Sequence, residues 1–215
     1  LRKVDGGEIL KRVDEHEVTL MCGAPAVANA ILDAASSWKG AIPGRDATRI
    51  VVAGAPPPAR TIERIETELG WTFNQLYGLT ETSPFLTVNS PSPETDELSA
   101  ADRSVVLSAA GVPALGVETK IDKTGEVLAR SNVVMEGYWA QPEETAKAIV
   151  DGWFRTGDGG SIGESHVLTI ADRKKDVIIS GGENVSSIEV EGAIFSHPDV
   201  TEVAVIGVPD EKWGE

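Results

Sequence analysis

The stretch RIVVAGAPPPARTIERIETELGWTFNQLY, from Arg49 to Tyr77, carries the fold. Arg49 to Ala53 is a short apolar run rich in β-branched residues and closed by Gly54, the pattern of a buried strand. Pro58 to Leu69 places Ile62, Ile65 and Leu69 at near-helical spacing, and Gly70 supplies the stop. Thr72 to Tyr77 returns to strand. A strand, a helix and a second strand within 29 residues make the βαβ unit of a parallel sheet.

The same alternation extends towards the N-terminus. Glu8 to His16 reads as a helix, Val18 to Cys22 as a strand, and Pro25 to Ala35 as a helix with proline in its first turn. In the other direction Ser83 to Gly111 has little periodicity and holds Pro84, Pro91 and Pro93, so it reads as loop and surface. From Leu115 the pattern becomes short strands: Leu115 to Ile121, Glu126 to Arg130, Phe154 to Thr156 and Val167 to Ile170. Gly-marked turns between them suggest a small distorted β-barrel or ribbon. The connection from Ile121 to Gly125 is short for two such strands. Pro142 to Val150 reads as a short helix with Glu143 and Glu144 in its first turn. After Arg173 the order is strand (Val177 to Ser180), helix (Ser187 to Phe195) and strand (Val203 to Val208).

The expected class is α/β. Residues 1–172 form a large domain, with an α/β layer over 1–112 and a barrel-like part over 113–172. Residues 173–215 begin a small α+β domain. The chain does not open with methionine and closes in a polar turn, so it reads as a piece of a longer protein.

Composition narrows the functional classes. The formal net charge of -15 argues against a nucleic-acid surface, which needs clustered cations to displace counterions. It leaves room for small anionic ligands held by a few local cations and by backbone N–H groups at glycine turns. No apolar run approaches the roughly 20 residues of a membrane helix, and the N-terminus has no apolar signal core, so the cytoplasm is the expected compartment. Cys22, the single cysteine, lies in the run from Val18 to Cys22 and reads as a buried core thiol. His16, His166 and His197 lack metal-ligand spacing and fall to structure or surface, while Trp38, Trp71 and Trp139 read as packing residues.

Three polar, glycine-bearing segments stand apart from this background. Tyr77-Gly78-Leu79-Thr80-Glu81 follows a strand at the carboxyl edge where open α/β sheets bind ligands. An aromatic ring there can stack on a base, a glycine admits close backbone approach, a hydroxyl can bond phosphate and a carboxylate can hold Mg2+. Equally, Tyr77 can be a strand-end aromatic and Glu81 a helix-start carboxylate. Gly54-Ala55-Pro56 closes the preceding strand and is either a plain loop or a second wall of a flat purine slot. Trp153 to Asp158 ends in Thr-Gly-Asp, where a carboxylate can accept from two vicinal hydroxyls or bond its own backbone in a turn. Finally, Asp172-Arg-Lys-Lys-Asp176 holds the only run of three cations in the chain, directly before an apolar strand and the turn Ser180-Gly181-Gly182.

The order Tyr-Gly-Leu-Thr-Glu, Trp-Phe-Arg-Thr-Gly-Asp, Asp-Arg-Lys-Lys-Asp and Ser-Gly-Gly-Glu-Asn, with Ile188 to Glu191, resembles the adenylate-forming superfamily of acyl-CoA synthetases, adenylation domains and luciferases. Met135 to Trp139 and Val208-Pro209-Asp210 fit its acyl- and aryl-CoA ligase branch. The resemblance runs from about Glu15 to Glu215. It implies ATP, Mg2+ and CoA as ligands and a carboxylic acid as substrate. It implies that Gly54, Ala55 and Pro56 with Tyr77 and Gly78 surround adenine, and that Thr80 and Glu81 face the phosphates and Mg2+. Asp158 and Arg173 would bind the ribose. Lys175 would be the hinge of the small domain, with Ser180, Gly181 and Gly182 lining a pantetheine tunnel and Trp213 near the CoA entrance. The family's phosphate loop lies upstream of Glu15 and is not in Leu1 to Lys11, and its adenylation lysine lies beyond Glu215. Two rival readings accompany the acid-CoA ligase: a non-catalytic remnant that holds AMP or acyl-AMP, and an enzyme that loads a carrier-protein thiol.

Overall fold

The computed structural model describes residues 3–173, 176–197, 199–200, 203–210 and 212–215. The chain divides into two compact units, residues 1–78 with 87–111, and residues 79–86 with 112–215.

The first unit is the α/β layer. Strands β1 (Leu20–Gly23), β2 (Arg49–Val52), β3 (Thr72–Tyr77) and β4 (Thr87–Asn89) lie side by side in that order. The first three run parallel and β4 returns antiparallel to β3. Helices α1 (Gly6–Glu15), α2 (Pro25–Ala35) and α3 (Ala59–Arg64) cover one face. The third continues as a π-helical turn, Ile65–Leu69, and stops at Gly70 with φ 68°, the left-handed residue that ends a helix without steric cost. Leu10, Ile31, Leu32, Ile50, Ile62, Ile65, Leu69 and Phe73 are fully buried between helices and sheet. Each such side chain contributes about 1.5–3 kcal/mol relative to exposure. Trp71 is buried with them and donates its indole N–H to the Pro43 carbonyl at 2.8 Å.

Two expectations are corrected in this unit. Ser83–Gly111 is not plain loop: it holds β4, α4 (Pro93–Asp96) and α5 (Ala100–Leu107). Ser92 and Ser99 accept the N–H of Thr95 and Asp102 as N-caps. At the other end of α5, Asn89 donates to the carbonyls of Val106 and Ala109. Caps rather than apolar periodicity fix this helix, which buries only Ser104 and Leu107. Cys22 is exposed. On β1, an edge strand among the described residues, it pairs with Val51 of β2, while Met21 opposite Ile50 takes the helix-covered face. Strand alternation turns the two neighbours to opposite faces.

The third correction belongs to the second unit, where Trp139 is 94% exposed instead of packed. That unit is built on an antiparallel sheet of β6 (Glu118–Ile121), β7 (Glu126–Arg130), β9 (Trp153–Ile162) and β10 (Leu168–Arg173), ordered β10-β9-β7-β6. The two-residue strand β5 (Val112–Pro113) precedes it, and β8 (Ile149–Val150), which follows α6 (Pro142–Ala148), pairs with β9. Val127, Ala129, Phe154 and Leu168 form its buried side. The short connection after Ile121 closes as a hairpin, with Ile121 opposite Val127. Asp122 Oδ1 accepts from the Thr124 N–H and hydroxyl and from the Glu126 N–H at 2.6–3.0 Å. These bonds, the Thr124 hydroxyl foremost, hold the Asp122 carboxyl well below the usual carboxylate range.

Beyond β10 the hairpin β11 (Ile178–Ser180) and β12 (Glu183–Val185) leads to α7 (Ser187–Phe195). Val203–Val208, expected as a strand, pairs with no strand among the described residues. Its backbone is held instead by a side chain, the Val205 N–H donating to Glu191 Oε1 at 2.8 Å. Alternation makes a strand only where a neighbour completes the ladder.

Candidate functional site

In the first unit the candidate residues follow the carboxyl ends of adjacent parallel strands. Val52 and Gln75 are register partners on β2 and β3, so Gly54-Ala55-Pro56 and Tyr77-Gly78 leave the sheet at the same edge. Gly54, at φ 96°, meets nothing within 4 Å of a Cβ built on it. Its requirement is therefore conformational rather than steric. Gly54 and Ala55 are exposed, while Tyr77 and Gly78 are half-buried. Small residues beside an aromatic at the C-terminal edge of a parallel sheet form the wall type that accepts a flat ligand.

In the second unit, Thr80–Thr82 forms a single 3-10 turn. The buried Thr82 hydroxyl locks it by accepting the Leu79 N–H at 2.9 Å and donating to the Leu79 carbonyl at 3.0 Å. With Thr82 spent on the turn, Thr80 is left exposed. Glu81 is held at both ends. Its carbonyl accepts the Met135 N–H at 2.7 Å, and its Oε1 accepts the Tyr138 hydroxyl at 2.9 Å. Burial first, then the bond to Glu81, pushes the Tyr138 phenol above its ordinary pKa, so it stays a proton donor to the carboxylate. The sequence Met135 to Trp139 thus supplies the support that fixes Glu81.

Asp158 and Arg173 are brought together as neighbours across β9 and β10. Arg173 Nε stands 3.8 Å from Asp158 Oδ1. The Asp158 side chain is 9% exposed and that of Arg173 58%. A buried carboxylate beside a solvent-reaching guanidinium can accept from hydroxyls while the cation faces an anion.

Thr-Gly-Asp is not the isolated turn that local reading allows. It is a bulge inside β9. Glu126 opposes Gly159 and Leu128 opposes Arg155, so Thr156, Gly157 and Asp158 together face the single residue Val127. Gly157 takes φ 76°. The Thr156 hydroxyl donates to the Val127 carbonyl at 2.8 Å and accepts the Asp158 N–H at 3.1 Å.

Ser180, Gly181, Gly182 and Trp213 also meet. Gly181 and Gly182, at φ 62° and 88°, form a two-residue hairpin turn of the type that needs positive φ at both positions. The Gly181 N–H donates to the Trp213 carbonyl at 2.8 Å, and a Cβ on Gly181 would stand 2.8 Å from the indole ring. The Ser180 hydroxyl donates to the Glu215 carbonyl at 2.8 Å. Lys175, the expected hinge, lies outside the described residues.

Two supporting carboxylates were not legible as such in the sequence. Glu126, 4% exposed, accepts the Gly157 N–H at 3.0 Å and pairs with Arg155. Asp172, 5% exposed, accepts from the Arg173 N–H, the Ser187 N–H and the Ser187 hydroxyl at 2.7–2.8 Å. A glutamate opening an apolar strand and an aspartate heading a cationic run both read as exposed charges, because burial depends on strand neighbours remote in sequence.

Among the described residues no helix is long and apolar enough to cross a membrane. Residues 2–139 match the family of AMP-binding enzymes, and residues 189–215 match the AMP-binding enzyme C-terminal domain. A 2-methylpropanoate–CoA ligase of Humulus lupulus is 43% identical, matching all of this chain with 40% of its own length. A peroxisomal trans-cinnamate:CoA ligase of Petunia hybrida is 38% identical, again over all of the chain and 40% of the relative. The chain thus spans about two fifths of the length of these curated relatives. Among solved structures, the amide bond synthetase McbA of Marinactinospora thermotolerans is similar at TM-score 0.84 and 31% identity, covering all of this chain and 44% of that one. The o-succinylbenzoate CoA synthetase of Bacillus subtilis, in complex with its acyl-adenylate intermediate, is similar at TM-score 0.80 and 29% identity, over all of this chain and 43% of that one. A curled antiparallel sheet and a parallel α/β layer, bearing polar segments in this order and matched by the family over most of its length, establish that the chain belongs to the AMP-binding enzymes.

Proposed function

We propose that the full-length protein carrying this chain is an ATP-dependent carboxylic acid–CoA ligase. It would join an acid to AMP with release of pyrophosphate, then pass the acyl group to the thiol of CoA with release of AMP. The observation that carries this reading is the pairing of buried Asp158 with solvent-reaching Arg173, the arrangement a ribose diol next to a phosphate would need. The names of the curated relatives, CoA ligases for 2-methylpropanoate and trans-cinnamate, supply the acceptor and the substrate class.

The chemistry assigns each segment a task. A carboxylate oxygen is a poor leaving group, so activation as a mixed anhydride with AMP must precede thiol attack. Gly54-Ala55-Pro56, Tyr77 and Gly78 would hold the adenine. Asp158 would accept the ribose hydroxyls, with Arg173 beside it. Thr80 would donate to a phosphate oxygen. Glu81 suits Mg2+: the ion takes hard oxygen donors and is commonly held by one or two carboxylates plus substrate phosphates. A single carboxylate oriented by the Tyr138 hydroxyl matches that demand. When bound, the ion would neutralise charge that develops on phosphate during adenylate formation.

Thioester formation needs different groups around the acyl carbon, which a rotating small domain can provide. We place the boundary between residues 172 and 173, with Lys175 as pivot and residues 173–215 as the start of the mobile domain. Ser180, Gly181, Gly182 and Trp213 would then line the thiol approach, a role consistent with their mutual contacts. The similarity to an amide bond synthetase favours one second reading, in which an amine is the acceptor.

The test is acid-dependent exchange of pyrophosphate into ATP by the purified full-length protein over a panel of aliphatic and aromatic acids, followed by AMP release with CoA, a carrier-protein thiol or an amine. Exchange with at least one acid and CoA-dependent AMP release are expected. ATP binding without exchange for any acid would leave only an AMP-holding remnant, and AMP release with amine or carrier thiol alone would reassign the acceptor.

A further inference from the structure

Glu126 is a buried carboxylate without a task in the reading above. It sits at the start of β7, 4% exposed, in a sheet that also buries the apolar Val127, Leu128, Ala129, Phe154 and Leu168. An ionised group in such a place is costly unless it is paired and hydrogen-bonded. Its two oxygens are both engaged, and by residues flanking the same bulge. Oε1 accepts the Gly157 N–H at 3.0 Å, and Oε2 accepts from the Arg155 guanidinium. That guanidinium also stands 3.3 Å from Asp122 Oδ2, which ties it to the β6–β7 turn.

The bulge needs this clamp. Three residues of β9 are set against Val127 alone, so the ladder cannot satisfy the Gly157 N–H, and φ 76° at Gly157 keeps it turned out of the regular strand direction. Glu126 takes the place of the missing carbonyl. The Thr156 hydroxyl bridges the Val127 carbonyl and the Asp158 N–H, so β7 fixes the residues on both sides of Gly157. Asp158 follows directly.

Resting on the assignment of Asp158 to the ribose, the geometry points to Glu126 as a positioning residue for nucleotide binding: through Gly157 and Arg155 it sets the bulge that aims the Asp158 carboxylate at the ribose hydroxyls. It touches no substrate itself. Its effect is therefore confined to what Asp158 reads, the 2′- and 3′-hydroxyls.

The experiment measures equilibrium binding of ATP and of 2′,3′-dideoxy-ATP by calorimetry on the full-length protein and its Glu126→Ala, Glu126→Gln and Asp158→Ala variants, each with its melting temperature. Asp158→Ala should abolish the preference for ATP. Glu126→Ala should reduce that preference about tenfold or more, the scale of one lost hydrogen bond to a charged group. Glu126→Gln, which keeps an oxygen for the Gly157 N–H, should retain part of it and serves alone if the alanine variant does not fold. If Asp158→Ala loses the preference while both Glu126 variants keep the wild-type ratio, or weaken the two nucleotides equally, the positioning role is overturned and the ribose assignment stands. If Asp158→Ala keeps the preference, the ribose assignment fails and takes the positioning role with it.

Discussion

Replacing Asp172 by alanine is expected to release α7 from β10 while leaving the sheet intact. Helix α7 has no fully buried residue, with Ile188, Val190 and Phe195 only half-buried, so polar bonds carry much of its attachment. The Ser186 hydroxyl donates to the Ala171 carbonyl at 2.8 Å, and Ser187 donates its N–H and its hydroxyl to Asp172 Oδ2. The carboxylate also stands at the first turn of the helix, where a negative charge meets the exposed N–H groups. Hydrogen bonds to a charged group are worth about 1.5–3 kcal/mol each, but the freed donors recover water once the helix lifts. A loss of about 2–4 kcal/mol of local stability follows, comparable to removing a strong N-cap together with one charged bond. Every 1.4 kcal/mol is tenfold, so amide exchange in Ser187–Phe195 should accelerate by roughly 30-fold to 1,000-fold, or to the unprotected limit if the helix starts with less. Asp172→Asn keeps a neutral acceptor and should fall between. Hydrogen exchange read by mass spectrometry on wild type and variants gives the answer. Acceleration of less than about threefold in α7, or equal acceleration in β9, would refute the idea that this carboxylate docks the helix. The consequence reaches function because α7 overlaps the segment matching the AMP-binding enzyme C-terminal domain, and Asp172 lies just before the proposed pivot. These bonds span that pivot.

Three other outcomes are expected. In the full-length protein, Lys175→Pro should slow thioester formation while sparing pyrophosphate exchange, because proline fixes φ at the pivot; equal loss in both half-reactions would remove Lys175 from the hinge role. Gly6→Ala should destabilise by about 1–3 kcal/mol through overpacking, since its Cβ would fall 1.9 Å from the Ala30 carbonyl oxygen where α1 crosses α2, whereas Gly7→Ala meets only Asp5 Oδ1 at 3.5 Å and should be neutral or stabilising by up to about 1 kcal/mol; thermal melts in which the two variants shift together would contradict this packing. Asp122 titrates below the usual carboxylate range, so it adds stability above its unfolded pKa and loses it as pH falls through the folded value; the melting-temperature gap between wild type and Asp122→Ala should be constant at neutral pH and close on acidification below about pH 4, and a gap that widens there would reverse the assignment.

What the sequence discloses depends on how local its cause is. The βαβ unit was legible because Gly70 and the spacing of Ile62, Ile65 and Leu69 are local signals, and the structure ends that helix at Gly70 in the left-handed conformation. Helix α5 was not, because its stability comes from Ser99 at one end and from Asn89, remote in sequence, at the other. Val203–Val208 failed for the opposite reason: its alternation is local, but a strand is a relation between segments. Cys22 and Trp139 show the same limit for burial. Each sits in a sequence that suits packing, and each faces a side that no described element covers.

The candidate site divides along the same line. Residues proposed to touch the ligand, Thr80, Glu81, Asp158, Arg173 and Ser180 to Gly182, lie in short polar segments that interrupt the apolar pattern and can be found by eye. The residues that hold them, Tyr138 on Glu81, Glu126 on the Gly157 bulge and Asp172 on α7, are 15 to 57 positions away in two of these pairs and 31 in the third. Two are carboxylates in a chain with 34 acidic residues, where one more acid carries no signal. Their meaning comes from burial: an ionised oxygen taken out of water must be repaid by donors fixed in place, and the donors it fixes here are the backbone N–H groups of a strand bulge and a helix start. Such a group costs more when its donors move, which is why a buried acid is suited to hold a loop in one geometry and why the same acid, once the pivot turns, would oppose the turn.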